Sequence, residues 1–302
     1  MAILVVGSMA YDTIETPRER RVRQLGGAAT YFALAAGREA GVRVVAVVGE
    51  DFLPADLELL ASHGVDLEGV ERAAGRSFHW SGRYRADFNE RDTLATELGV
   101  FAGFRPRVPA GWTASEYLFL ANIHPSLQAE VLAAVARPRL VVLDTMNLWI
   151  ETRRADLLAV LPRVDVLLVN DSEARQLSGE LGLAAAAAAI KRLGPARVVI
   201  KKGEHGALLF GRTSVLAVPG LLLPAVVDPT GAGDSFAGGF LASLAAAAAD
   251  RDSDDAPFRA AMLAGTVTAS FVPEDFSVGG LLRRTPGEVA IRLARLTDMM
   301  VP

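Results

Sequence analysis

The sequence contains no cysteine among its 302 residues, which excludes disulfide bonds and thiolate-bound metal sites in this chain. Its four histidines are scattered without the spacing that is typical of metal ligands. A chain without cysteine is compatible with a reducing compartment, and we expect a cytoplasmic location.

Long apolar runs and basic clusters are missing as well. No stretch reaches the roughly 18 uninterrupted apolar residues that a membrane span needs. The apolar segment Met1–Val6 follows no basic region and is soon interrupted by Asp12, so we expect no signal peptide. The net charge is −4. Neither nucleic acid nor an anionic membrane is therefore the expected partner.

Hydrophobic residues make up 51% of the chain, which is enough for a large buried core and argues against disorder. Predicted strands alternate with predicted helices through most of the sequence. This order predicts an α/β fold, with a mostly parallel central sheet and helices on both faces. Residues 77–102 interrupt the order, because polar and apolar residues alternate there as in a half-exposed sheet.

One stretch, residues 226–240, carries the clearest chemical signal. We expect it to run from the end of a strand, through a turn of small residues, into a long alanine-rich helix. The N–H groups of Gly231, Ala232 and Gly233 would lie at the positive N-terminal end of that helix, where they bind anions and above all phosphate. Asp234 adds a carboxylate beside them, which suits a base that takes the proton of an attacking hydroxyl.

Other interpretations of this turn compete with a phosphate site. A dinucleotide-binding turn, as in a dehydrogenase, needs a third glycine at position 236, where the chain has Phe236. A Walker A loop needs a following Gly-Lys-Ser/Thr, which is missing. Asp234 as a simple helix N-cap, a common role for aspartate, stays open beside the role of base.

The segment Asp228–Phe236 resembles the C-terminal signature of the ribokinase-like (pfkB) carbohydrate kinase family. In that family the last aspartate is the catalytic base, and the Gly-Ala-Gly turn is the anion hole for the transferred phosphoryl group. Gly26 and Gly27 resemble the N-terminal Gly-Gly signature, where a sugar lies against open backbone. This chain has Ala28 and Tyr31 where ribokinase has lysine and asparagine, which argues against ribose as the acceptor.

The resemblance implies three groups of binding residues: Asp12, Gly26, Gly27 and Asn122 for the acceptor; Asn170, Glu173, Lys202, Gly203, Gly206 and Gly233 for the nucleotide; and Asp228 and Thr230 for a monovalent cation, with potassium as the candidate. Glu173 would hold magnesium through its water shell. Asn170 and Glu173 also have the spacing of a helix capping box, and both roles can hold at once. From its position alone, Asp12 is equally a solvated loop residue.

The resemblance covers nearly the whole chain. It implies one ribokinase-like kinase domain over residues 1–302, with a β-sheet lid formed mainly by residues 9–24 and 77–102. The implied activity is Mg²⁺-dependent transfer of the γ-phosphoryl group of ATP to a hydroxyl of a sugar or sugar-like acceptor. A nucleoside kinase of the same fold is the alternative, and a non-catalytic sugar- or nucleotide-binding protein is a weaker one. Lids of this family often pair between subunits, which makes a homodimer an option.

Overall fold

A computed structural model describes residues 2–88 and 90–300 of the chain. The strands within these residues are β1 (Ala2–Val6), β2 (Ala10–Glu15), β3 (Arg20–Gly26), β4 (Gly41–Gly49), β5 (Val65–Asp66), β6 (Val70–Ala73), β7 (Phe78–Tyr84), β8 (Arg91–Glu97), β9 (Tyr117–Leu120), β10 (Leu140–Asp144), β11 (Val166–Asn170), β12 (Arg197–Lys201), β13 (Ala207–Phe210) and β14 (Val215–Val218).

The helices of the same residues are α1 (Ala28–Ala36), α2 (Pro54–Ser62), α3 (Pro125–Ala134), α4 (Asn147–Thr152), α5 (Arg154–Val160), α6 (Asp171–Ser178), α7 (Leu183–Lys191), α8 (Ala232–Ala246), α9 (Ala256–Ala269), α10 (Gly279–Arg283) and α11 (Pro286–Asp298). Proline stands in the first turn of α2, α3 and α11, where its missing N–H costs no hydrogen bond. None of the described helices combines the length and the apolar character of a membrane span.

The larger sheet is mostly parallel. Its described strands lie in the order β14-β13-β12-β11-β10-β9-β1-β4-β5, and β6 also pairs with β4. The pairs from β12 to β5 are parallel, whereas β13 and β14 close one edge as an antiparallel hairpin. The predicted fold class is confirmed.

Both faces of this sheet are buried, as its continuous apolar strands require. In β1, Ile3 and Val5 pack into one core cluster, and Leu4 and Val6 pack into another, because successive side chains of a strand point to opposite faces. Helices α1, α8 and α9 contribute to the first cluster, and α3, α5, α6 and α7 contribute to the second.

The smaller sheet stands apart from the larger one, with its described strands in the order β3-β2-β7-β8. β2 and β7 pair in parallel, and the two outer pairs are antiparallel. Ile14, Tyr84 and Phe276 form a small core that joins this sheet to the chain that follows α9. Asp12 lies within β2, and not in a turn as expected, so a strand of the small sheet carries this carboxylate.

The expectation of a strand end at residues 226–227 is wrong. Val226 and Val227 lie in irregular chain, and the N–H of Val227 donates to the carbonyl of Pro273 at 2.7 Å. Because this backbone bonds to the short 3-10 helix Val272–Glu274 and not to a neighbouring strand, the segment joins no sheet.

Candidate active site

The carboxyl ends of the parallel strands bring three polar residues to one edge of the large sheet. Asp144 ends β10, Asn170 ends β11 and Lys201 ends β12. Open α/β sheets bind their ligands at this edge, because the loops that leave the strands form a crevice there. The N-terminal end of α8 lies at the same place, because a Cβ on Gly233 would be 3.3 Å from Nζ of Lys201.

The turn before α8 has the shape expected of an anion site, with one correction. Gly231 is the N-cap residue, with φ +84°, and a Cβ at this position would overlap the ring of Tyr31. The N–H of Ala232 donates to the carbonyl of Pro229 at 3.1 Å, so it is not the free donor that we expected. Among the described residues, the N–H groups of Gly231 and Gly233 have no backbone acceptor.

Asp234 is the third residue of α8, and no side chain caps this helix. The interpretation of Asp234 as the N-cap is therefore wrong. Burial and the negative charge of Asp144 together raise the pKa of the Asp234 carboxyl to about 7, against the opposing positive charges of Lys201 and Arg91. A carboxylate whose pKa lies near neutrality is suited to take a proton from a hydroxyl.

Asp12 is buried, and it lies close enough to Asp234 for their charges to interact. Burial, together with the charges of Asp228 and Asp234, raises the pKa of Asp12 to about 7, while a hydrogen bond from the N–H of Gly27 opposes the shift. A Cβ at Gly26 would overlap the carboxylate of Asp12. Gly26 is thus needed to seat Asp12.

Gly27 has a structural role of its own. Its φ is +96°, and a Cβ there would lie 2.5 Å from the carbonyl oxygen of Ser8. Ser8 in turn accepts from the first turn of α1, through its carbonyl from Ala29 at 3.0 Å and through its hydroxyl from Ala28 at 3.1 Å. The glycine therefore seats α1 against the turn after β1, in addition to the open backbone that we expected.

The sequence pattern points to Lys202, whereas the structure brings Lys201 to the site. The Lys201 ammonium lies 2.6 Å from Oδ2 of Asp144. Lys202 is held in its loop by a backbone hydrogen bond to Gly206 at 2.7 Å, and no side-chain bond of Lys202 is found within the described residues. The signal that favours Lys201 is its place as the last residue of a parallel strand.

Asn170 and Glu173 form the predicted capping box at the start of α6. The side chain of Asn170 accepts from the N–H of Glu173, and Oε2 of Glu173 accepts from the N–H of Asn170, both at 2.7 Å. Burial and the charge of Asp144 raise the pKa of Glu173 to about 7. Glu173 is buried beside Asp144 and Lys201, so it belongs to the same charged cluster as Asp234.

The loop between β12 and β13 contains Gly203 and Gly206, both with positive φ. A Cβ at Gly206 would overlap the carbonyl of Val218, so close packing against the end of β14 already requires glycine there. The loop leaves the same edge of the sheet as Asn170, next to the end of β11.

Asp228 is fully buried behind the turn. Its carboxylate accepts from the N–H of Thr230 at 2.9 Å and of Ser277 at 3.4 Å, and the Thr230 hydroxyl lies 3.0 Å from that of Tyr84 on β7. The described residues contain no cluster of three or more acidic or histidine side chains that could hold a metal ion. The bonds from Thr230 and Ser277 make Asp228 part of what holds the turn in place.

Asn122 follows β9 at the same edge of the sheet. Its Oδ1 accepts from the Trp149 ring N–H at 2.9 Å, and its Nδ2 lies 3.2 Å from the sulfur of Met146. Both polar atoms of the amide are therefore engaged, one by Met146 before α4 and one by Trp149 within α4.

Two residues outside the expected set also contribute to the site. The hydroxyl of Tyr31 is buried without a hydrogen-bond partner in the described residues, and its pKa is raised well above its usual value by burial and by the charges of Asp12 and Asp228. Arg91 on β8 stacks over the Trp80 ring at 5.7 Å, and its charge lowers the pKa of Asp234. No motif marks Arg91, which reaches the site only through the tertiary fold, whereas Tyr31 closely follows the Gly26–Gly27 signature in the sequence.

Known proteins resemble this chain in sequence and in fold. Residues 2–281 match the family described as pfkB family carbohydrate kinase. A cytidine kinase from Thermococcus kodakarensis is 32% identical over 246 residues, which cover 80% of this chain and 87% of that protein.

Two solved structures share the fold. The nucleoside kinase of Burkholderia thailandensis in complex with inosine matches over 99% of both chains, with a TM-score of 0.77 at 21% identity. A double mutant of fructokinase from Vibrio cholerae, bound to fructose, ADP and potassium, matches over 97% of this chain and 98% of that one, with a TM-score of 0.79 at 20% identity. The chain therefore belongs to the pfkB family of carbohydrate kinases, which use ATP and Mg²⁺, and it is a phosphotransferase that acts on an alcohol group.

Proposed function

We propose that this kinase transfers the γ-phosphoryl group of ATP to the primary hydroxyl of a nucleoside. The observation that carries the proposal is the contact of Gly231 with the Tyr31 ring of α1, which brings the turn of Asp234 beside the glycine pair that seats Asp12. The charge of Asp234 also contributes to the raised pKa of Asp12. A ribose offers a vicinal diol at one end and a primary hydroxyl at the other. Its diol can bind Asp12 while its primary hydroxyl meets Asp234. The relationship to the cytidine kinase supports a nucleoside over a free sugar.

In this proposal Asp234 takes the proton of the primary hydroxyl, whose oxygen attacks the γ-phosphorus. The new oxygen–phosphorus bond forms as the bond to the bridging oxygen of ADP breaks, and the proton stays on Asp234. The N–H groups of Gly231 and Gly233, with the dipole of α8 behind them, stabilise the charge on the phosphoryl oxygens. Ala232 contributes its small size, since its N–H is already bonded to Pro229.

The clustered carboxylates around Glu173 are suited to a nucleotide that binds together with Mg²⁺. Glu173 would hold Mg²⁺ through its water shell, since only Oε2 of this carboxylate is committed to the capping box within the described residues. The ion would neutralise the phosphates. The N-terminal end of α6 at Asn170, together with the loop of Lys202, Gly203 and Gly206, would complete the nucleotide site.

The small sheet is proposed to act as the lid of a single kinase domain, from residues 9–24 and 77–102. It carries Asp12, Trp80 and Arg91, so closure over the acceptor would exclude water and bring these groups together. Val22 and Leu94 on its outer strands are 52% and 48% exposed, which supports pairing of two lids in a homodimer. Asn122, at the end of β9, is a further proposed contact to the acceptor.

Asp228 and Thr230 are the proposed residues of a potassium site. The carboxylate of Asp228 is buried behind the anion turn and has no cationic side chain among the hydrogen-bond partners found in the described residues, so a monovalent cation could share its oxygens. Activity in potassium against activity in tetramethylammonium at equal ionic strength tests this part of the proposal.

An ADP-release assay over nucleosides, sugars and sugar phosphates tests the acceptor. Turnover with cytidine or another nucleoside at a kcat/KM well above that of every sugar is the expected result. Turnover with a hexose or a sugar phosphate, and none with any nucleoside, would refute the nucleoside assignment and leave the kinase assignment in place.

A further inference from the structure

The Lys201 ammonium lies directly against the anion turn. A Cβ placed on Gly233 would be 3.3 Å from Nζ of Lys201, so only the glycine's hydrogen stands between the ammonium and the backbone of the turn. The Lys201 side chain is 17% exposed, which gives a ligand access to it. Lys201 and the N–H of Gly233 therefore converge on the same small volume.

The charges around Lys201 are unbalanced. Asp144, Glu173 and Asp234 all raise the pKa of Lys201, whereas burial lowers it, and the net direction is upward. Three carboxylates thus surround one ammonium. An ammonium has three N–H donors, and within the described residues the only side-chain acceptor found for them is Oδ2 of Asp144. The remaining donors can serve an incoming anion.

We propose that Lys201 is a further catalytic residue, whose ammonium contacts the oxygens of the phosphoryl group in transfer while Asp144 holds it in position. The proposal rests on phosphoryl transfer at the Gly231–Asp234 turn and does not depend on which acceptor is used. Asp144 is the positioning residue. Its Oδ1 accepts from the N–H of Thr145 at 2.8 Å, which fixes the carboxylate, and its Oδ2 binds Lys201.

The competing explanation is that Lys201 and Asp144 form a purely structural ion pair, and two arguments oppose it. A buried ion pair contributes little net stability, because desolvation of both charges offsets their attraction. In addition, only three of the chain's 31 basic residues are lysines. A compact ammonium fits between Asp144 and the glycine turn and serves phosphate as a point charge, whereas the wider fork of arginine does not fit as well.

The experiment compares the wild-type kinase with the Lys201→Met variant. Lys191→Met is the matched control, because the Lys191 ammonium binds the carbonyl of Gly211 at 2.5 Å, near the opposite end of β12 and β13. The measurements are kcat and KM for the acceptor, and the affinities for Mg·ADP and for Mg·ADP with aluminium fluoride, which mimics the transferred group.

We expect Lys201→Met to lower kcat by ~100-fold or more, as removal of one donor to a developing charge does. Its affinity for the aluminium fluoride complex should fall by a similar factor, while its KM for the acceptor changes by less than about threefold. Lys191→Met should change none of these values. If kcat and the aluminium fluoride affinity of Lys201→Met stay within about threefold of wild type, the proposal is refuted.

A second variant guards against misfolding of the first. Lys201→Met combined with Asp144→Asn also removes the carboxylate that is ion-paired with Lys201, so less buried charge is left unpaired, and it should fold even where the single variant does not. Its kcat should remain as low as that of Lys201→Met, and wild-type turnover would overturn the proposal. The aluminium fluoride measurement needs no acceptor. A wild-type enzyme that phosphorylates no nucleoside but loses this affinity in Lys201→Met would refute the acceptor assignment alone.

Discussion

Gly231 lies directly against the ring of Tyr31, and a Cβ at position 231 would overlap three carbons of that ring. The contact joins the turn before α8 to the first turns of α1, and thus joins the two glycine signatures of the chain. It also explains why the turn needs glycine at a position where φ is +84°.

The Gly231→Ala variant should therefore lose both stability and activity. A left-handed alanine costs about 1 kcal/mol, and the overlap with Tyr31 adds to this, so we expect unfolding free energy to fall by about 2–4 kcal/mol. Urea denaturation measures the change. Gly287→Ala, at an exposed glycine with open space around its Cα, is the control, and an equal effect in both variants would contradict this account.

The hydroxyl of Tyr31 is buried without a partner, so Tyr31→Phe should retain or increase stability. Removing an unsatisfied buried donor while keeping the ring is neutral or stabilising by up to about 1 kcal/mol. The same urea measurement tests it. A loss of more than about 1 kcal/mol would mean that the hydroxyl has a bonding partner in the native protein.

Turnover should depend on the protonation of Asp234. Its pKa is raised to about 7, and a general base must be deprotonated, so kcat should fall as pH drops below about 7. The charged groups that face it are Asp144 on β10, Lys201 on β12 and Arg91 on β8, and the charge of Asp12 on β2 also interacts with it. Because the charge of Asp144 raises this pKa, Asp144→Asn should shift the inflection to lower pH. A profile of kcat against pH checks it, and an upward shift would contradict the assignment.

The buried carboxyl of Asp12 should make stability depend on pH. Its folded-state pKa of about 7 is above the unfolded value of 3.8, so the folded protein binds the proton more tightly. The stability that proton binding at Asp12 contributes is fully present below the unfolded pKa, and it is lost as the pH rises through the folded pKa of about 7. Asp12→Asn should therefore be more stable than wild type at pH 8, by on the order of 1–4 kcal/mol, with a smaller difference at pH 5.

Urea denaturation at the two pH values measures this effect. Glu58→Gln, which removes an exposed carboxylate from α2, is the control and should show no comparable gain. The same Asp12→Asn variant should raise KM for the acceptor, which separates its effect on binding from its effect on folding.

The fold was predictable because its signals are local and repeated. Runs such as Leu140–Asp144 are apolar on both faces, and only a sheet covered on both sides accepts them. The strand predicted at Val226 and Val227 was wrong. Two β-branched residues favour a strand by propensity, but here they lie in irregular chain that is hydrogen-bonded to Pro273.

The site was predictable only where one short segment contains it. The residues of the turn from Gly231 to Asp234 are contiguous, so the chemistry of the turn could be predicted from the sequence. The sequence did not show whether Lys201 or Lys202 reaches the site. Adjacent residues at a strand end point in opposite directions, so an error of one residue in the strand exchanges the two lysines. Arg91 reaches the site from a distant element, and tertiary packing alone brings it there.

The central claim is that Asp234 removes the proton of the acceptor hydroxyl. The most direct measurement is the single-turnover rate of Asp234→Asn with saturating Mg·ATP and acceptor, alongside its affinity for Mg·ADP. We expect a rate at least ~100-fold below wild type, the usual scale for a lost general base, with Mg·ADP affinity unchanged within about threefold. A wild-type rate in this variant would contradict the account.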